Sequence, residues 1–234
     1  MSNDDVSASR RSFLTFALAA VPAAGLLGAG TMVPAARALA AGGKPYEPHY
    51  FTPDEWAFVK AATDRLIPPS EDGPGALEAG VPEFIDRQMD DAYGHGGYWY
   101  MHGPFVPDAP ATLGYQLRFT PRELYRSGIA ALDRWCRSHG GKPFHERDAD
   151  ARDAILARME DGSLALDGVP AKAFFTQLLD NAKEGYFADP MYGGNRGMGS
   201  WKMIGFPGAR ADFEDWLDRP GAVYPLGPVS IKEA

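Results

Sequence analysis

The chain has 234 residues, a net charge of −8, 27 glycines, 20 prolines and a single cysteine. Net acidity without a Lys/Arg block excludes a nucleic-acid binder, whose affinity rests on neutralising phosphates. One cysteine excludes an internal disulfide, and the plentiful aliphatic and aromatic residues exclude a disordered chain despite the glycine and proline content.

The first forty residues have the layout of an export leader. Ser9, Arg10, Arg11, Ser12, Phe13 and Leu14 place an arginine pair, a Phe and a Leu in register. An uncharged run from Phe13 to Ala36 follows and closes on two Ala-x-Ala sites, Ala36-Arg37-Ala38 and Ala38-Leu39-Ala40. Paired arginines ahead of such a run mark a twin-arginine signal peptide. The run exceeds the roughly 20 residues that span a bilayer, so a retained anchor is the alternative. Its glycines, prolines and threonines keep it only mildly apolar, which favours cleavage. The expected organisation is a leader over residues 1–40 and one helical domain over residues 41–234, long enough for a sizeable core.

Within the domain, Thr52-Pro53-Asp54-Glu55 reads as a capping box with proline in the first turn. Trp56, Val59, Thr63 and Leu66 follow at helical spacing, and Pro68-Pro69 stops the helix. A short helix opens at Pro82 and runs through Phe84, Ile85 and Met89. A second capping box, Thr120-Pro121-Arg122-Glu123, starts a longer helix with Leu124, Gly128, Leu132 and Trp135 on one face, ended by Gly140-Gly141. One more helix is expected from about Asp150 to Met159, burying Ile155, Leu156 and Met159. Another is expected from about Ala171 to Lys183, burying Phe174, Phe175, Leu178 and Leu179. A last one is expected near Arg210 to Leu217, carrying Phe213, Trp216 and Leu217. Alternating β-branched runs are nearly absent, so the fold class is mainly α, a single small domain with long Gly/Pro/aromatic loops.

No catalytic set emerges from the motifs. His95 and His102 flank an aromatic run with no carboxylate or thiol between them, and His145-Glu146 lacks the second histidine of a zinc protease. The Gly193–Gly199 stretch has no preceding strand and no Gly-Lys-Ser/Thr, so it is no phosphate loop. Gly-Ser-Trp at 199–201 lacks the flanks of a nucleophile elbow. An enzyme reading would rest on His95 or His102 with Asp189, and a carbohydrate-binding reading on Trp99, Tyr100 and Trp201 as stacking platforms. Two loop clusters hold the aromatic surplus: Tyr93, Tyr98, Trp99, Tyr100 and Phe105, then Tyr186, Phe187, Tyr192, Trp201 and Phe206. Such rings serve either a core or a protein interface. Cys136, beside Trp135 on its helix, is either a buried small apolar residue or half of an intermolecular bridge.

Several stretches carry a family resemblance. They are Ile67-Pro68-Pro69 with Pro74-Gly75-Ala76, Ala79-Gly80-Val81, Gly103-Pro104-Phe105 and Thr120-Pro121-Arg122-Glu123-Leu124-Tyr125. The most specific runs from Glu184-Gly185-Tyr186-Phe187-Ala188-Asp189-Pro190-Met191-Tyr192-Gly193-Gly194-Asn195 to Trp201-Lys202 and Ile204-Gly205-Phe206-Pro207-Gly208. From about Phe51 to Leu217 the chain resembles the small (third) subunit of gluconate 2-dehydrogenase and its relatives in flavin-dependent sorbitol, fructose and glucose dehydrogenases. The resemblance implies a non-catalytic subunit with no cofactor of its own. It implies a large subunit that holds FAD and oxidises an alcohol group, and a cytochrome c subunit whose haem c passes electrons onward. It also implies that the small subunit presents the leader to the twin-arginine translocase, assists the large subunit's maturation and escorts it to the periplasm, where the complex sits at the inner membrane. The expected interface is Tyr98, Trp99, Tyr100, Tyr186, Phe187, Tyr192, Asn195, Trp201 and Phe206, with Cys136 as a candidate intersubunit disulfide.

Overall fold

A computed structural model describes residues 45–107 and 109–232. The leader residues Arg10, Arg11, Phe13 and Leu14 lie outside the described residues. Among the described residues there are seven α-helices and no strand: α1 (Pro53–Leu66), α2 (Ala76–Ala79), α3 (Val81–Asp90), α4 (Pro121–Ser138), α5 (Ala149–Asp161), α6 (Ala171–Phe187) and α7 (Gly199–Ile204). The mainly helical class expected from the pattern is what forms. No helix among them is long and apolar enough to cross a membrane.

Both capping boxes form. The Thr52 N–H donates to Glu55 Oε2 at 2.9 Å, and the Thr120 N–H donates to Glu123 Oε2 at 2.8 Å. Each glutamate thereby satisfies a donor at the helix start while placing negative charge at the positive end of the dipole. Glu55 also receives Arg126 Nε at 3.0 Å, tying the start of α1 to α4.

Helix α6 is the axis of the fold and packs against each of the other six. Phe174, Phe175, Leu178, Ala182 and Tyr186 are buried along it, and each fully buried large side chain stabilises by about 1.5–3 kcal/mol. Phe58, Phe144, Phe174 and Tyr125 form a continuous aromatic core with ring centroids 4.9 to 5.9 Å apart. That core needs Gly128 on the inner face of α4, because a Cβ there would lie 2.6 Å from the Phe174 ring. The fully buried Tyr125 donates its hydroxyl to Asn181 Oδ1 at 3.2 Å. Asn181 Nδ2 in turn donates to the Tyr93 hydroxyl at 2.9 Å and to Glu184 Oε2 at 2.8 Å. Burial pushes the Tyr125 phenol well above its ordinary value, so it stays a protonated donor.

Asp86 on α3 anchors the segment from Tyr46 to Phe51. Its fully buried carboxylate accepts the Tyr46 hydroxyl at 2.8 Å and the backbone N–H groups of His49 (2.7 Å), Tyr50 (3.1 Å) and Phe51 (3.0 Å). An irregular segment has no ladder of its own, and this one side chain supplies its backbone partners.

Several expectations need correction. The helix near Arg210 to Leu217 is only a 3-10 turn over Glu214–Trp216. Phe213 and Trp216 have helical spacing, but they pack on Tyr224 at 5.5 and 5.1 Å, and Leu217 is 77 % exposed. With no core beneath it, the segment gains too little to offset helix nucleation. Helix α6 continues past Lys183 to Phe187. Helices α2 and α7 were not expected, being too short for periodicity to show. Trp135 and Leu179 are only half-buried, and the Trp135 ring is instead covered by His139, 4.2 Å away, and Arg158.

Candidate partner-docking site

A helix leaves its last carbonyls without intrahelical partners, and at the end of α6 the returning loop supplies donors to those of residues 185 to 188. The Gly185 carbonyl accepts the Asn195 N–H at 3.0 Å, and the Tyr186 carbonyl accepts the Ser200 hydroxyl. The Phe187 carbonyl accepts Trp201 Nε1–H at 2.8 Å, and the Ala188 carbonyl accepts Asn195 Nδ2–H at 3.0 Å. Asn195 Oδ1 closes the set by accepting the Ser200 N–H at 3.1 Å and lies 2.6 Å from the Ser200 hydroxyl, whose single proton it shares with the Tyr186 carbonyl. Asn195 itself sits in the left-handed region at φ 43°, ψ 43°, a conformation that Asn tolerates better than most residues. The residues from Gly185 to Trp201 are thus one rigid cap.

This geometry divides the expected interface residues into two groups. Tyr186, Asn195 and Trp201 are buried, and in this chain their polar groups build the cap. Phe187, Tyr192 and Phe206 remain 42 to 47 % exposed on the same loop. Each buried ring holds an exposed one edge-on: Tyr186 holds Phe187, and Trp201 holds Phe206, both at 5.0 Å between centroids. Met203 and Ile204 on α7 are also exposed, and Met203 Sδ lies 3.8 Å from the Tyr186 hydroxyl. Phe187 and Phe206 are thus exposed rings backed by buried ones before any partner arrives, which lowers the ordering cost of binding. Within the glycine-rich stretch the Gly193, Asn195 and Met198 N–H groups donate to the Pro190, Gly185 and Asn195 carbonyls.

The second aromatic cluster is arranged differently. Trp99 is half-buried between Tyr93 (5.7 Å) and Tyr115 (4.4 Å), while Tyr98 and Tyr100 project at 72 and 80 % exposure. Of the three stacking platforms required by the carbohydrate-binding reading, only Tyr100 presents an open ring.

The groups of the enzyme reading are each engaged elsewhere. His95 contacts the Arg122 guanidinium, and His102 lies 5.3 Å from the Tyr100 ring. Asp189 is buried and accepts the Met191 N–H (3.0 Å), the Ser230 hydroxyl (2.7 Å) and the Ile231 N–H (2.8 Å). Burial opposes its ionisation, but those donors, with Lys232 nearby, hold the carboxyl below the usual aspartate range. A lowered value in the fold means a contribution to stability that is present above the ordinary aspartate range and lost as pH falls through the lowered value. No group of three or more His, Cys, Asp or Glu side chains suited to a metal ion occurs among the described residues.

Cys136 is fully buried on α4, and burial pushes its thiol up to about 11. In this chain the Cys136 sulfur is a free thiol enclosed by the helix packing, where it fills the core as a small apolar side chain. At pH 8 a thiol reagent should modify the folded chain about a hundredfold or more slower than the denatured chain. Rapid labelling of the folded chain would contradict the burial.

The family model for gluconate 2-dehydrogenase subunit 3 matches residues 53–208. The chain belongs to the gluconate 2-dehydrogenase subunit 3 family. No curated protein and no solved structure matches it. As a subunit 3 it is a component of a gluconate 2-dehydrogenase complex, so it has partner subunits to hold. The match begins at the first residue of α1 and ends at Gly208, so it takes in the whole α6 cap and its displayed rings. The segment from Ala209 onward lies beyond it. Sequence reading of this subunit 3 missed Ser200, Asp86 and the role of Asp189, since single polar residues that satisfy distant backbone leave no periodic or spaced signal.

Proposed function

We propose that this subunit 3 is the non-catalytic escort of a flavin-dependent dehydrogenase. Its twin-arginine leader carries the folded pair outward, and its helical domain grips and stabilises the large subunit, which holds FAD and oxidises an alcohol group of a sugar, polyol or sugar acid. A cytochrome c subunit with haem c completes the complex on the periplasmic side of the inner membrane. The observation that supports this reading is the exposure of Phe187 and Phe206, each backed edge-on by a buried ring, with Tyr192, Met203 and Ile204 also exposed in the family-matched stretch. Aromatic side chains held rigid at an exposed surface concentrate binding energy. Tyr98 and Tyr100 offer a second contact. A flavin enzyme acquires its cofactor on folding, so an export route for folded cargo suits it, and the association must outlast transit through slow dissociation.

The test replaces Arg10 and Arg11 with lysine in the host and measures where flavin dehydrogenase activity accumulates. The expected result is loss of periplasmic activity with activity retained in the cytoplasm. Unchanged periplasmic activity would sink the escort role.

A further inference from the structure

Beyond Gly208, where the family match ends, the chain makes a closed excursion and returns to the cap. Tyr224 gathers Phe213 and Trp216 at 5.5 and 5.1 Å, with Arg210 over its own ring and Arg219 over Trp216. This small knot brings Val229 back beside Gly208, in the manner of a compact Ω-loop whose ends meet. There the Ala209 N–H donates to the Val229 carbonyl at 2.7 Å, and the Val229 N–H donates to the Pro207 carbonyl at 3.3 Å. The approach is close enough to require glycine: a Cβ on Gly208, whose φ is +75°, would lie 2.2 Å from the Val229 oxygen and 3.0 Å from the Trp201 ring. One residue further, buried Ser230 and the Ile231 N–H both donate to the carboxylate of Asp189. The same carboxylate caps the Pro190–Tyr192 turn through the Met191 N–H. Asp189 therefore couples the tail to the turn that displays Tyr192, and the tail's backbone runs along the residue after Phe206-Pro207.

We propose that Val229–Lys232 is a latch that clamps the docking face in its binding-ready form. The functional half of this inference rests on the docking reading given above. With the tail in place, Asp189 is shielded from water and its hydrogen bond to the Met191 N–H is strong, as charge-assisted bonds in a low dielectric are. Without the tail, the carboxylate is hydrated, the Pro190–Tyr192 turn loosens and the strip carrying Phe206 loses its backing. The exposed rings then have to be ordered on binding, which weakens the grip.

The test compares the full chain with a truncation after Pro228, Gly208→Ala and Asp189→Asn. Hydrogen exchange is measured on the free chain, and retention of the flavin subunit is measured on the complex isolated through this chain. The latch predicts that the amides of Met191, Tyr192, Gly193 and Ala209 exchange about tenfold faster in all three variants, while buried amides of α4 and α6 keep their protection. It also predicts that less flavin subunit is retained. Gly208→Ala, whose added methyl displaces the Val229 backbone and presses on the Trp201 ring, keeps the whole tail and decides the matter if the truncation fails to fold. Unchanged exchange at residues 191–193 in the truncation or in Gly208→Ala would overturn the latch, whatever the complex does. Faster exchange with full retention of the flavin subunit would leave the latch standing and overturn the docking role of this face.

Discussion

Replacing Asp86 with alanine is expected to cost about 3–5 kcal/mol of stability. The carboxylate is fully buried and serves four donors, among them the buried N–H groups of Tyr50 and Phe51. Alanine leaves those amides without partners in a site that water cannot enter freely, at roughly 1–3 kcal/mol each. It also frees the Tyr46 hydroxyl and the His49 N–H at the edge. For a domain of this size the loss corresponds to a fall in Tm of roughly 10 °C. Asp86→Asn should recover little, because its amide nitrogen meets donors where an oxygen stood. Thermal and denaturant unfolding of the two variants beside the parent chain measures this, and a fall below 1 °C in both would refute the anchor. Because Asp86 supplies the partners of the segment from Tyr46 to Phe51, the same variants should expose that segment to proteases first.

The second large effect is expected at Asn195. Asn195→Asp keeps the size and the tolerance for φ 43°, but it turns the donor facing the Ala188 carbonyl into an acceptor. Two acceptors then face each other in a fully buried position, and an unpaired charge is added there. A loss of about 2–4 kcal/mol follows, together with loosening of the cap that holds Trp201 and, through it, Phe206. Acid provides an internal control. Protonating the introduced carboxyl restores a donor and removes the charge, so the deficit relative to the parent chain should shrink as pH is lowered. A deficit that is absent at neutral pH, or that grows in acid, would show that Asn195 does not cap α6 in the way described.

How far the sequence speaks for this fold depends on the range of the interaction. Helices α1, α4 and α5 announce themselves because capping residues and apolar period are local, and each is found within a residue or two of its expected bounds. The Arg210–Leu217 stretch has the same local signal and does not form a helix, because the signal says nothing about whether a core lies beneath it. The loop from Gly185 to Trp201 illustrates the opposite limit. Its aromatics were visible as a surplus, but which ones face outward is decided by Asn195, Ser200 and Trp201 reaching back to the carbonyls of residues 185–188. Those partners are 7 to 14 residues apart and follow no period. Burial of Cys136 was one of two readings of its neighbourhood, and only the packing of α4 selected it.

The central claim is that this domain holds a flavin-bearing partner. The most direct measurement is affinity purification of the chain from native membranes, followed by the absorption spectrum of what it retains. The account predicts a stoichiometric flavin-containing large subunit, lost in part when Phe187, Tyr192 and Phe206 are replaced together by serine. A chain that emerges alone and colourless from membranes still active in flavin dehydrogenase would contradict it.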